Sequence, residues 1–197
     1  MTTQHDPIRR LVMAALASLP LSGMAATTTQ GGDLRQVGSR TLVAYFSRSG
    51  NTRVIAGLIH RKLGTDLFEI RPAAPYPEDY LATVEQARQE RDSGAEPALE
   101  SKTPDFAAYD TLFLGFPIWG ETTPPVIRSF LSTHDLAGKT LIPFITHGGY
   151  GLGNSQSVIA SHAPKACLQK GLVMEADQER RTMDSVTDWL KGVKVTG

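Results

Sequence analysis

The chain reads as an α/β protein, a doubly wound, five-stranded parallel sheet with helices on both faces. Three observations carry that reading. Short apolar runs recur along the chain without the polar alternation of a one-faced sheet, as expected of strands buried on both sides. Stretches of helical period lie between those runs. At 197 residues, 41% of them hydrophobic, the chain is long enough for one well-packed domain and short for two. Right-handed crossovers then make a helix-covered parallel sheet the economical arrangement.

Thr41 to Phe46 reads as the first strand. Val54, Ile55, Leu58, Ile59 and Leu63 then share one helix face, with Arg61 and Lys62 in the last turn and Gly64 as the stop. Asp66 to Ile70 is the second strand, and Pro77 opens a second helix through Tyr80, Leu81 and Val84 to about Asp92. Ser93 to Asp105, rich in Pro, Ala and Glu, reads as an exposed connection. Thr111 to Phe116 is the third strand; Thr123 and Pro124 start a third helix that buries Val126, Ile127, Phe130 and Leu131. Thr140 to Ile145 is the fourth strand, and Asn154 or Ser155 caps the fourth helix. The pattern is weakest at the fifth strand, Gly171 to Met174, before Asp184 begins a helix that packs Val186, Trp189 and Leu190.

The first residues follow a different rule. Arg9 and Arg10 precede "LVMAALASLPLSGMAA", an apolar run ending in small residues, and a polar stretch comes next. That order predicts a secretory signal peptide over residues 1–25, cleaved near Ala25 or Ala26, then a flexible segment over 26–40 and the domain over 41–197. Pro20 interrupts the run, which is short for a span of about 20 apolar residues. The arginine pair also resembles a twin-arginine signal, which predicts export of a folded, periplasmic protein. Basic and acidic residues balance at 20 each, so no positive excess points to nucleic acid. Loss of Arg9, Arg10 and Asp6 with the leader makes the remainder one unit negative. Cys167, the one cysteine, has no partner for an internal disulfide and reads as a small buried hydrophobe.

The chemistry concentrates at the first strand-to-helix junction, Ser47-Arg48-Ser49-Gly50-Asn51-Thr52. In an open parallel sheet this turn borders the ligand crevice. Successive backbone N–H groups at a helix start can form a nest for an anion, aided by the helix dipole. Ser47, Ser49 and Thr52 add hydroxyls, Asn51 an amide, and Gly50 freedom to turn. The alternative is an ordinary cap, with Asn51 or Thr52 satisfying the orphan N–H groups. A cap needs one such residue, whereas here four lie within six. The motif is not the dinucleotide Gly-x-Gly-x-x-Gly, and Gly138-Lys139-Thr140 leads into a strand rather than forming a Walker loop. With no cysteine in the first loop, thiolate phosphatase chemistry has no nucleophile.

Together, "AYFSRSGNT", "APYPEDY", "YDTLFLGFPIWG", "GKTLIPFITHGGYGLG" and the closing "WL" resemble the flavodoxins, most closely their short-chain relatives that bind flavin mononucleotide (FMN). The resemblance covers about Thr41 to Leu190. It implies strand order 2-1-3-4-5, the flavin at the topological switch point and the phosphate on the first loop. Residues 47–52, Arg48 included, are then cofactor-binding. After the third strand, the backbone from Pro117 through Ile118 to Gly120 can meet the polar edge of the ring, and the indole of Trp119 can stack on it. After the fourth strand, Gly148, Gly149 and Gly151 permit close approach, Tyr150 is the candidate for the other ring face, and His147 lies near enough to influence flavin protonation. Where many relatives carry Trp-Trp-Gly, this chain has Trp119-Gly120-Glu121, placing a carboxylate at the rim. The implied role is electron transfer with a redox partner protein or a small-molecule donor or acceptor; the alternatives are an NAD(P)H:quinone-type reductase and a non-catalytic binding module. Carrier flavodoxins are acidic, whereas this chain is nearly neutral, which weakens the carrier reading. His60, His134 and His162 sit on helical or loop faces and receive no chemical role.

Overall fold

The computed structural model describes residues 38–175 and 179–195, so the expected leader at 1–25 and all but the end of the 26–40 segment lie outside the described residues. The strands are β1 Thr41–Tyr45, β2 Asp66–Glu69, β3 Thr111–Pro117, β4 Thr140–His147, β5 Cys167–Leu168 and β6 Leu172–Glu175. The helices are α1 Asn51–Leu63, α2 Tyr80–Ser93, α3 Pro125–Thr133, α4 Ser155–His162 and α5 Glu179–Lys191, with a short 3-10 turn over Phe106–Ala108.

These strands pair in parallel, in the order β2-β1-β3-β4 followed by β5 and β6, which both pair with β4. These last two share the fifth position, so the order 2-1-3-4-5 is observed with its final strand broken. The break has a cause in β4. Pro143 has no N–H to offer the ladder, and Gly171 lies so close that an added Cβ would sit 2.1 Å from the Pro143 carbonyl oxygen. Leu141 pairs with Leu168 but Phe144 with Leu172, so the edge gains one residue there, as in a bulge.

Strand alternation divides the core in two. Leu42, Ala44, Leu112 and Leu114 face the layer built by α3 and α4 through Phe130 and Ile159. Val43, Tyr45, Phe113 and Phe144 face α1 and α5 through Ile55, Ile59, Val186 and Leu190. Gly115 pairs with Phe144, whose ring occupies the space a side chain at 115 would need, 2.0 Å from the ideal Cβ.

Several sequence expectations shift. The buried stripe of α1 runs through Thr52, Ile55, Ala56 and Ile59, leaving Val54 and Leu63 exposed. The second helix starts three residues after Pro77, because Asp79 caps it by accepting the Ala82 N–H at 2.8 Å. The third starts at Pro125, and the fifth starts before Asp184, at Glu179. Asn154 takes the cap position of α4 without a side-chain hydrogen bond. Cys167 is exposed, not buried, because it lies on the broken edge of the sheet. Among the described residues no helix is long and apolar enough to cross a membrane.

Candidate functional site

The C-terminal ends of β1, β3 and β4 bring together the three loops that the sequence singles out. The first loop enters α1 through Gly50 at φ 95°, a cap residue with no side chain to offer. Neither Asn51 nor Thr52 serves as the cap. The Thr52 hydroxyl instead meets that of Thr146 at 2.9 Å, tying the start of α1 to the end of β4. Ser47 Oγ accepts from the N–H groups of Gly50 and Arg53 at 3.2 and 3.3 Å, so the loop folds around an oxygen acceptor. A nest of this kind turns successive N–H groups toward one oxygen, here that of Ser47.

The second loop is a tight reversal. Trp119 and Thr122 exchange backbone hydrogen bonds of 3.1 and 3.2 Å, with Gly120 and Glu121 between them at φ 55° and 63°. A positive φ at glutamate is unfavourable and is held from outside. Its carbonyl accepts the Asn154 N–H at 3.1 Å, and Gly153 comes so close that a Cβ would lie 1.9 Å from that oxygen. The Ile118 N–H donates to the Thr146 carbonyl at 2.8 Å. The loops after β3 and β4 are thus fastened at both ends. The Glu121 side chain is exposed, where water and salt screen its charge.

Trp119 is half-buried and meets Phe46 and Tyr76 edge to face, at centroid distances of 5.2 and 4.8 Å. Tyr76 in turn donates to Glu90 at 2.8 Å, and burial raises its hydroxyl pKa above the ordinary value. The indole is therefore anchored from behind. Tyr150 is 81% exposed at the tip of the third loop. His147 Nδ1 accepts the Gly149 N–H at 3.1 Å, which leaves the proton of the neutral ring on Nε2.

A group of FMN's chemistry fits these residues. The loop after β4 has a glycine, Gly148, that neither a positive φ nor packing demands: an added Cβ would meet nothing within 4 Å. Thr123 and Ser155, at the far ends of the second and third loops, are fully buried with hydroxyls that lack a hydrogen-bond partner. Uncommitted donors and open space beside loops fastened to each other are what a polar-edged planar ligand needs.

Two hollows flank the first loop. One is lined by three arginines balanced by three glutamates: Arg53 and Arg71 each contact Glu69 at 2.6 Å, and Arg48, Glu78 and Glu100 complete the set. Burial, then the Glu69 charge, raise the pKa of Tyr45 above its usual value beside this network. The other is a cleft of about 360 Å³ between α2, the first loop and the Trp119 turn. It includes Arg48, Ser49 and the whole stretch Pro117 to Gly120, but not the third loop, so His147 to Gly151 lie outside it. Arg48 donates to the Glu78 carbonyl at 2.8 Å and lies over the Tyr80 ring at 5.8 Å. The contributions of Tyr80, Val84, Arg88 and Arg91 to this cleft are additions to the sequence reading. Their spacing of about four residues was the available signal, masked because α2 buries only Thr83 and lacks an apolar stripe facing the sheet.

Comparison with known proteins gives this geometry a context. A family model described as flavodoxin matches residues 40–193. A protein of Bacteroides eggerthii designated a flavoprotein is 34% identical, covering 79% of this chain and 99% of its own, with a TM-score of 0.68. One from Bacteroides uniformis, of the same designation, is also 34% identical, covering 78% and 99%, with a TM-score of 0.69. A Lactobacillus acidophilus flavoprotein solved in complex with FMN shares the fold at 20% identity and a TM-score of 0.59, covering 74% of this chain and 99% of its own. No curated protein matches the chain. On the extent of the family match and the 34% identity over nearly the whole of two relatives, the chain belongs to the flavodoxin family.

Proposed function

We propose that the protein binds FMN non-covalently and transfers electrons through it. The observation that carries this reading is the glycine-led start of α1, whose Gly50 and Arg53 N–H groups turn in toward one oxygen, that of Ser47, and which Thr52 and Thr146 fasten to the loops that would border the ring. The FMN complex of the Lactobacillus acidophilus protein supports the choice of flavin. Bound FMN would supply one- and two-electron redox chemistry. The chain's own residues do the rest. Ser47 to Thr52 would hold the phosphate, Pro117 to Gly120 the polar edge of the ring, and Gly148, Gly149 and Gly151 would let backbone approach it. Trp119, anchored by Phe46 and Tyr76, would present a fixed indole, and His147 would offer an Nε2–H near the ring.

The test is reconstitution of the purified protein with FMN, removal of excess ligand, and anaerobic NAD(P)H. Retained flavin bands that resist bleaching fit a carrier reduced by a protein partner. Rapid bleaching fits the reductase alternative, which the near-neutral charge and the small-molecule-sized cleft beside Trp119 favour over partner steering. Failure to retain flavin refutes both. We also infer, from the arginine pair and the small-residue boundary, that the chain is exported to the periplasm already folded around its cofactor. Replacing Arg9 and Arg10 by lysine is expected to abolish delivery, and continued periplasmic delivery refutes the route.

A further inference from the structure

We propose that Arg128 tunes the redox balance of the flavin site, as a fixed cation that favours the reduced, negatively charged ring over the oxidised one. The inference rests on the flavin reading and deepens it. Arg128 lies in the first turn of α3, shortly after the Trp119 turn whose backbone would border the ring. Its Nη2 is 3.5 Å from the hydroxyl of Thr122. Thr122 in turn exchanges backbone hydrogen bonds with Trp119 and lines the cleft beside Pro117 to Gly120. The guanidinium is thus joined to the turn without belonging to the cleft wall.

The position is costly for a cation. The positive end of the α3 dipole disfavours it. Arg128 is half-buried, and its Nε is fully buried with no hydrogen-bond partner. Among the described residues no carboxylate pairs with it. The other cations near the turn differ, since Arg88 and Arg91 pair with Glu85 and Asp92, and Arg48 is exposed. Beyond the long contact to Thr122, no contact among the described residues offsets the cost, whereas negative charge arriving on a neighbouring ring would. Burial also makes this charge count. Water and salt screen the exposed Glu121 carboxylate of the same turn, but screen a half-buried guanidinium less. Reduction places negative charge on a flavin ring, and charge held near the ring is one means by which a protein tunes it. The field at this turn therefore favours reduced FMN.

The test compares the dissociation constants of oxidised and chemically reduced FMN, measured anaerobically, for the wild type, Arg128→Met and Arg128→Lys. In Arg128→Met, which keeps an unbranched stem, the preference for reduced over oxidised FMN should fall about tenfold, or about 30 mV for a two-electron couple. Arg128→Lys should restore most of it. The Arg128→Met apoprotein should unfold no more readily than the wild type, because an unpartnered, half-buried charge has been removed. Glu121→Gln should shift the preference less than Arg128→Met does. Equal weakening in both oxidation states together with a less stable apoprotein marks a structural role and overturns the inference. An unchanged preference, or a larger shift from Glu121→Gln, also overturns it, and either leaves FMN binding standing. If the wild type retains FMN in neither state, the flavin reading falls and this inference with it.

Discussion

Helices α1 and α2 follow the first two strands, and they are held together by opposite means. α1 starts at a glycine, with only Ser47 of the preceding loop accepting from its first turn, but it buries Ile55 and Ile59 against the sheet and packs on α5. α2 buries only Thr83, and Leu81 is 73% exposed. Local bonds hold it instead. Asp79 caps it, the Thr83 hydroxyl donates to the Pro77 and Asp79 carbonyls, and Glu85 and Glu90 accept from side chains one turn away. A helix secured by tertiary packing can leave its N-terminal N–H groups for a ligand; one without that packing needs them satisfied from its own sequence. Both begin beyond strand ends, but α1 relies on packing against the sheet and α2 on its own cap.

The largest expected effect probes the packing half of this contrast. Ile59→Ala should lower the unfolding free energy by about 2 to 5 kcal/mol, whereas Leu81→Ala should stay within about 0.5 kcal/mol in the same denaturant titration. Comparable losses would mean that α2 is packed as α1 is, and the contrast would fail. Next comes the start of α1. Gly50→Ala forces a side chain into φ 95°, at about 1 to 2 kcal/mol, so FMN titration should show roughly tenfold weaker binding. The matching change at the end of α2, Gly94→Ala at φ 68°, should weaken that helix and leave FMN affinity unchanged. Asp79→Ala should cost about 1 kcal/mol, read as faster amide exchange in the first turn of α2 with no change in flavin retention.

The smallest effect lies at the end of α3 and serves as a control remote from both helices. His134 is buried against Phe130; its Nε2 accepts the Thr103 N–H at 3.2 Å, and its Nδ1 then donates to the Phe130 carbonyl at 2.9 Å. Burial holds its pKa below the ordinary imidazole value. Below about pH 6.5 the unfolded chain therefore binds the proton first, and this contribution to stability, full above that pH, is lost as pH falls through the lower folded value. Denaturation at pH 7.5 and pH 5 should show a shallower acid loss in His134→Gln, and an equal loss would remove His134 from the account.

Much of this was legible in the chain because buried parallel strands announce themselves as unbroken apolar runs and the first loop as a cluster of hydroxyls and glycine. What escaped depends on tertiary placement. The fifth strand blurred because its break is dictated by Pro143 on the neighbouring strand. Val54 and Leu63 fit a helical stripe by spacing, yet the sheet and α5 set the buried face a step away, on Ile55, Ala56 and Ile59. Cys167 belongs to a residue type usually buried, but edge position exposes it. The cleft residues of α2 were hidden for the converse reason: a helix that leans on no core shows no stripe, and Tyr80, Val84, Arg88 and Arg91 gain meaning only once Trp119 lies opposite.

The broken fifth strand also bears on how the molecule behaves in company. An exposed sheet edge is a template on which a second chain can add its own strand, and a longer uninterrupted edge is a better template. Here the outer rim offers two residues at Cys167–Leu168 and four at Leu172–Glu175, out of step with each other across the bulge. A chain adding to one piece meets the wrong register on the other, so the proline inside β4 also discourages neighbouring molecules from fusing their sheets.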